Sequence, residues 1–167
     1  VEAMARLYAA GRFIDIVREA TPEPQKLASW WSYRAKDWDA ADVRWALMYP
    51  DAYEVGAPNQ GVQILYEVIN ERDDALAERT YAVWPDLEAL MREHGVPQFT
   101  VDQHRPVGAF DLLGLSFSTE LGYTNMLTAI DLAGIPLHAR DRDGNFPVLA
   151  PAAPSQTTVS ASCSIWR

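Results

Sequence analysis

The first residues with types and spacing suited to ligand binding are Asp51, Tyr53 and Gly56, arranged as D-x-Y-x-x-G, with Asn59 close behind. Gly56 would let a ligand approach the backbone closely, because glycine has no Cβ. The helix predicted to follow offers unpaired N–H donors at its start, which suit a polar or anionic group. In the alternative interpretation, Asp51 and Asn59 only shape the turn and cap this helix. The pattern predicts a site but does not identify its ligand.

A second candidate group contains the hydroxyl residues Ser116, Ser118 and Thr119, in the segment GLSFST. Hydroxyl groups both donate and accept hydrogen bonds, so these side chains suit a polar ligand. One of them, Ser118 or Thr119, is also expected to be the N-cap of the next helix whether or not a ligand binds.

Other residue combinations favour no particular chemistry. His94, His104 and His138 lack metal-ligand spacing, and each is typical of an ordinary surface or satisfied histidine. Neither a GxGxxG nor a P-loop nor a GxSxG motif occurs. A single cysteine, Cys163, excludes an internal disulfide and any multi-cysteine metal site, so we expect no iron–sulfur cluster in this chain. No catalytic residue and no metal ligand is therefore assigned.

The first candidate loop lies between a predicted strand and a predicted helix. Residues 43–49 form a nearly continuous apolar run, which is typical of a strand buried on both faces. Val62, Leu65, Tyr66 and Ile69 then recur with helical spacing. The loop between them stands at the carboxyl end of the strand, where open α/β sheets bind their ligands.

Strands and helices continue to alternate beyond this unit. A helix capped by Asp86 is predicted to end at Gly95, and a third helix to end at Gly134. The alternation predicts right-handed crossovers and a flavodoxin-like (Rossmann-like), doubly wound parallel sheet of order 2-1-3-4-5. In that order the two candidate loops would frame one crevice. The further predicted strands are Thr80–Trp84, Phe110–Phe117, Ile135–Ala139 and Phe146–Leu149, with a minor extended piece at Phe99–Val101.

Three regions differ in composition. Residues 1–42 are predicted to be a helical, tryptophan-rich lead-in, and residues 43–149 the α/β domain. Residues 150–167 contain no acidic residue and few apolar anchors, so we expect a disordered or aberrant tail. Trp30, Trp31 and Trp38 of the lead-in are expected to pack over one edge of the domain or against a partner region.

The composition narrows the class of protein. A length of 167 residues with 49% hydrophobic residues suits one globular domain with a substantial core. The net charge of −9 argues against a nucleic-acid partner, which would require a basic surface. No apolar run is long enough to span a bilayer and no signal-peptide pattern is visible. We therefore expect a cytoplasmic location and no membrane partner.

Long strings of this sequence are similar to one known family. The segment KDWDAADVRWALMYPDAYEVGAPNQGVQILYEVINER and its continuation RTYAVWPDLEALMREHGVPQFTVDQHRPVGAFDLLGLSFSTELGYTNMLTAIDLAGIPLHARDR resemble the N-terminal domain of cobalamin-binding-domain radical SAM proteins. The similarity is greatest to a bacterial subgroup of iron–sulfur oxidoreductases. It covers roughly Lys36 to Arg142 and implies cobalamin as the candidate cofactor.

The chain departs from the pattern of that family at two positions of its cofactor site. The family motif D-x-H-x-x-G becomes Asp51-x-Tyr53-x-x-Gly56, so a tyrosine replaces the histidine that ligates cobalt. A phenol with a pKa near 10 is a poor substitute for a neutral imidazole. Ser116 and Ser118 match the second motif, S-x-L or S-x-T, but the Gly-Gly expected after Leu149 is absent. The resemblance therefore implies that any corrinoid is bound without a histidine from this loop.

The family's catalytic part, with its CxxxCxxC cluster loop, should lie further along the chain. The sequence stops before that part, which suggests a truncated or frame-shifted product. The leading hypothesis is a cobalamin-binding-like N-terminal domain without independent catalysis, which presents a crevice to a corrinoid or to the absent radical SAM domain. One alternative is a degenerate module that binds no cofactor and acts in protein interaction. A further alternative is a flavodoxin-like binder of a phosphate-bearing small molecule.

Overall fold

An all-parallel sheet with the strand order β2-β1-β3-β4 organises the protein. The computed structural model describes residues 36–116, 122–142, 144 and 146–152. The strands are β1 (Val43–Tyr49), β2 (Ala75–Tyr81), β3 (Leu112–Ser116) and β4 (Val148–Ala152). The helices are α1 (Tyr53–Gly56), α2 (Gln60–Asn70), α3 (Pro85–His94) and α4 (Gly122–Leu132).

The central strand is β1, as its nearly continuous apolar sequence predicted. Ala46, Leu47 and Met48 are buried in its middle. The strand pairs with β2 on one side, where Val43 lies opposite Ala75, and with β3 on the other. Because both neighbours run parallel and both faces are covered, every central position of β1 favours an apolar side chain.

Helices cover both faces of the sheet. On one face, Val62 and Tyr66 of α2 pack in a cluster with Leu47 of β1. On the other face, α4 packs against a second cluster of buried strand residues, which includes Met48 and Leu113. Helices on both faces of a parallel sheet confirm the predicted α/β class, and the strand order β2-β1-β3-β4 is consistent with the predicted flavodoxin-like, doubly wound fold.

The free edge of β2 is covered by side chains instead of a further strand. The Asn70 side-chain amide donates to the Ala77 carbonyl and accepts from the Ala77 N–H, both at 3.0 Å. Asp102 Oδ2 accepts from the Arg79 N–H at 2.5 Å, and the Val101 N–H donates to the Arg79 carbonyl at 2.8 Å. These bonds satisfy backbone groups that would otherwise offer a template for pairing with another chain.

Two of the predicted strands are wrong: one is shifted along the chain, and the other does not form. The predicted strand Thr80–Trp84 is in fact Ala75–Tyr81, whose charged centre hid the strand pattern. The predicted fourth strand at Ile135–Ala139 does not form. The Ile135 N–H instead donates to the Ile130 carbonyl at the end of α4, and Pro136 has no N–H to donate to a ladder. The strand beside β3 is β4, which overlaps the predicted fifth strand.

The predicted helix ends are confirmed at the C-termini of α3 and α4 but not at the N-terminus of α3. Gly95 and Gly134 adopt left-handed conformations, with φ of 65° and 69°, and end α3 and α4 as predicted. Asp86 is not the N-cap of α3, because Trp84 takes that place and Pro85 begins the helix. Proline suits the first position of a helix, where its missing N–H would have no partner in any case. The predicted caps of α4, Ser118 and Thr119, lie outside the described residues.

Only residues 36–42 of the predicted lead-in belong to the described structure. Trp38 lies edge-on to Phe110 with ring centroids 4.9 Å apart, and the guanidinium groups of Arg44 and Arg105 lie over its ring. The predicted packing against the domain is therefore confirmed for Trp38, whereas Trp30 and Trp31 fall outside the described residues.

At the other end of the domain, β4 continues to Ala152, past the predicted boundary at residue 149. The rest of the predicted tail, residues 153–167, lies outside the described structure. Within the described ranges, no helix is both long and apolar enough to cross a bilayer.

Candidate functional site

The loop after β1 contacts the start of α4 at the carboxyl edge of the sheet. The Asn125 side-chain amide of α4 donates to the Pro50 carbonyl at 3.1 Å. A Cβ on Gly122 would lie 2.9 Å from Pro50 Cγ, so the start of α4 packs directly on the loop after β1. This contact follows from the adjacency of β1 and β3, which the predicted strand order required.

Asp51 shapes the turn at the end of β1 and also lines a cavity. Its Oδ1 accepts a hydrogen bond from the Ala52 N–H at 2.7 Å, and its carbonyl accepts from the Ala82 N–H at 2.9 Å. The second bond ties the loop after β1 to the loop after β2. The half-buried carboxylate remains on the wall of the cavity between these loops.

Tyr53 and Gly56 both contact Tyr81, the last residue of β2. The Tyr53 ring is 52% exposed and lies edge-on to the Tyr81 ring, with centroids 5.2 Å apart. A Cβ on Gly56 would lie 2.5 Å from Tyr81 Cδ1 and 2.9 Å from Tyr49 Cδ1. The space beside the Gly56 Cα is thus filled by aromatic rings of the protein itself. Burial raises the pKa of the Tyr81 phenol to about 12.

The remaining predicted site residues have different environments. Asn59 is the N-cap of α2, and its Oδ1 accepts from the Val62 N–H at 3.1 Å, as the simpler interpretation predicted. Ser116 is half-buried at the end of β3, opposite Ala152. Ser118 and Thr119 lie outside the described residues, so their predicted role stays a prediction.

The structure also brings together residues that the sequence analysis missed. A cavity of about 270 Å³ lies between α3 and α4, at the ends of β1 and β2. Apart from Asp51, no local pattern marks its residues, because they come from four separate segments of the chain. Its walls include Asp51, Trp84, Glu88, Gln98, Asn125 and Thr128.

Gln98 is the most deeply buried polar side chain of this cavity, with 2% exposure. Its Nε2 donates to Thr80 Oγ1 at 2.9 Å and to the Tyr81 carbonyl at 2.8 Å. A carbonyl only accepts, so the Tyr81 contact fixes which end of the amide is the donor. Gln98 Oε1 has no hydrogen-bond partner among the described residues. An unsatisfied buried acceptor costs about 1–3 kcal/mol, which a ligand donor would recover.

Charged groups at the outer strand β2 pair with one another. Glu78 accepts hydrogen bonds from Arg105 and, at 2.5 Å, from the Thr100 hydroxyl. Burial raises the pKa of the Glu78 carboxyl, whereas Thr100 and Arg105 act in the opposite direction. Arg79 forms an ion pair with Asp102 at 2.6 Å. These partners satisfy each other, so we assign them to holding residues 98–105 along β2.

The residues at this edge do not fit the coordination of a corrinoid cobalt. Tyr53 supplies a phenol where the resemblance requires an imidazole, and the Tyr81 and Tyr49 rings close the space beside Gly56. The cavity is also small, at the lower end of the range for small-molecule pockets. Among the described residues, no group of three or more histidine, cysteine and acidic side chains could hold a metal ion.

One family model matches this chain. The model, described as that of radical SAM proteins, N-terminal, matches residues 61–161, which is more than half of the chain. The match includes α2, β2, α3, β3, α4 and β4. No curated protein and no solved structure gave a significant match.

Proposed function

Because this chain belongs to the family of radical SAM N-terminal domains, we propose that it is a non-catalytic docking domain. In this proposal, the carboxyl edge of its sheet faces the cluster-bearing domain of a radical SAM protein. A radical SAM cluster requires three cysteine ligands, whereas this sequence contains one. The cluster would therefore belong to the partner domain.

The observation that carries the proposal is a group of exposed apolar side chains at the carboxyl edge of the sheet. Tyr53 and Val55 of α1 are each 52% exposed, and Trp84, just after β2, is 61% exposed. Large exposed aromatic side chains are enriched where proteins contact other proteins. Tyr53 is held edge-on by Tyr81, so this part of the surface is also pre-organised for contact.

Binding to a separately purified, cluster-loaded radical SAM domain of this family tests the proposal. We expect the double variant Tyr53→Ser/Trp84→Ser to weaken binding about tenfold or more, since aromatic side chains often dominate interface energies. The matched control is Ile64→Ser/Val68→Ser, which removes two exposed apolar side chains from the outer face of α2. Unchanged affinity of the first variant, or an equal loss with the control, would contradict the proposal.

A second candidate function is corrinoid binding at the same edge without coordination by a protein imidazole. It is supported by the D-x-Y-x-x-G match and by the contact of Pro50 with α4, which places the start of that helix beside the first candidate loop. Electron paramagnetic resonance of added cob(II)alamin tests it through the hyperfine splitting of an axial nitrogen.

We expect no histidine-nitrogen coupling in the unmodified chain and new coupling with tighter binding in Tyr53→His. Val55→His is the matched control, because it places an imidazole at another exposed position of the same helix. Absence of cobalamin binding by all three proteins would reject the corrinoid and leave the cofactor-free docking domain. The cavity disfavours a phosphate-bearing ligand such as FMN, since the carboxylates of Asp51 and Glu88 would repel the phosphate.

A further inference from the structure

We propose that the cavity between α3 and α4 binds a small organic cation that carries N–H donors, either a primary ammonium or a guanidinium compound. This inference does not rest on the proposed docking function, because it concerns a cavity within the free domain, although Trp84 belongs to both surfaces. It stands on the charge of the cavity wall, on an unsatisfied buried oxygen and on an exposed aromatic ring.

The charge of the wall selects a cation. Asp51 and Glu88 both line the cavity, whereas no lysine, arginine or histidine of the described part of the chain does. Glu88 Oε1 accepts a hydrogen bond from Arg92 at 2.9 Å, which offsets part of its charge from outside the cavity. Asp51 has no ion pair among the described residues, and only a neutral backbone N–H contacts its Oδ1. The described wall therefore carries a net negative charge that Arg92 offsets only in part.

The unsatisfied oxygen selects a hydrogen-bond donor. Gln98 is a buried residue of the cavity wall. Its Oε1 lacks a hydrogen-bond partner among the described residues. The amide cannot rotate to relieve this without losing the bonds that Nε2 donates to Thr80 and Tyr81. Gln98 Oε1 is itself buried, so only an N–H group that reaches the floor of the cavity would satisfy it, whereas an anion there would place a second acceptor against it.

The remaining wall and the volume indicate the shape and size of the ligand. Trp84 lines the cavity and is 61% exposed, so an aromatic residue is accessible to a cation there. Ala129 and Leu132 add an apolar wall suited to a short hydrocarbon stem. A volume of about 270 Å³ equals that of roughly nine water molecules, given ~30 Å³ for each. A compound of the size of butylammonium fits this space.

Titration of the full 167-residue chain with three probes that share a butyl stem tests the proposal. Butylammonium carries charge and donors, butyltrimethylammonium carries charge without donors, and 1-butanol carries no charge. We follow amide chemical shifts by nuclear magnetic resonance, with the Gln98 side-chain amide as the local reporter. We expect saturable shifts at the cavity with butylammonium at about millimolar Kd. The other two probes should bind at least about tenfold more weakly.

Variants at the wall separate the cavity from general electrostatics. Asp51→Asn/Glu88→Gln should weaken butylammonium binding about tenfold or more, and Trp84→Ala about two- to fivefold. Glu93→Gln is the matched control, since it neutralises an exposed carboxylate on α3 that does not line the cavity. It should change Kd by less than about twofold.

Three results would overturn the proposal. They are shifts that do not saturate, equal binding of butyltrimethylammonium, or an equal effect of Glu93→Gln and the double variant. If the double variant fails to fold, Trp84→Ala still decides the question, because it removes an exposed ring.

Discussion

Gly56 of α1 lies against the ring of Tyr81 so closely that a Cβ at this position would be 2.5 Å from Tyr81 Cδ1. The glycine of the D-x-Y-x-x-G motif therefore serves the packing of two secondary-structure elements. The absence of a Cβ at Gly56 allows α1 to pack against the end of β2, where the Tyr53 ring also contacts the Tyr81 ring. The contact sets the position of the exposed aromatic surface at the carboxyl edge of the sheet.

Gly56→Ala should lower the free energy of unfolding by about 1–3 kcal/mol, because overpacking forces shifts in neighbouring side chains or backbone. Denaturant titration measures this change. Gly144→Ala is the control, since nothing lies within 4 Å of its added Cβ, and it should change stability by less than about 0.5 kcal/mol. Equal stability of the two variants would show that α1 moves freely to make room.

Asn70→Leu should destabilise the protein by about 2–4 kcal/mol, because the Ala77 N–H and carbonyl each lose a buried partner. Amide hydrogen exchange at Ala77 should accelerate more than at Leu76. Glu71→Leu, at the next and exposed position, is the control. If exchange at Ala77 is unchanged, the edge of β2 does not depend on this side chain.

The stability of the protein should depend on the protonation of Glu78. Burial raises the pKa of its carboxyl above the usual value of 4.5, so the folded state holds this proton more tightly than the unfolded state. The contribution of Glu78 to stability is thus fully present below pH 4.5 and is lost as the pH rises through the raised pKa.

Glu78→Gln should therefore show a smaller fall in the free energy of unfolding above pH 4.5 than the unmodified chain. Urea titrations between pH 4 and 7 measure the difference. The control is Glu93→Gln, which removes an exposed carboxylate. Parallel pH profiles for Glu78→Gln and the unmodified chain would contradict the raised pKa.

Tyr81 should titrate later than an ordinary tyrosine, because burial raises its pKa to about 12 from the usual 10. Its contribution to stability is present below pH 10 and is lost as the pH rises through 12. Phenolate absorbance should show a late step that Tyr81→Phe removes and Tyr53→Phe leaves in place. Loss of the same step in both variants would mean that the late phenol is not Tyr81.

Local sequence determined the central β1–α2 unit and the class of fold. The nearly continuous apolar run of β1 and the helical spacing in α2 depend only on neighbours along the chain, so both are visible in the sequence. The left-handed glycines that end α3 and α4 are equally local. The parallel order of the strands then follows from general rules of crossover connections.

Three features became known only from the tertiary structure: the position of β2, the identity of the strand beside β3, and the cavity. The charges of Glu78 and Arg79 suit a strand only because Arg105 and Asp102, more than twenty residues away, neutralise them. Gln98 acquires its unsatisfied oxygen only because Thr80 and Tyr81 hold the other end of its amide. Likewise, the packing role of Gly56 is recognisable only from its contact with Tyr81. Such contacts depend on distances between remote segments, which a single sequence does not encode in any local pattern.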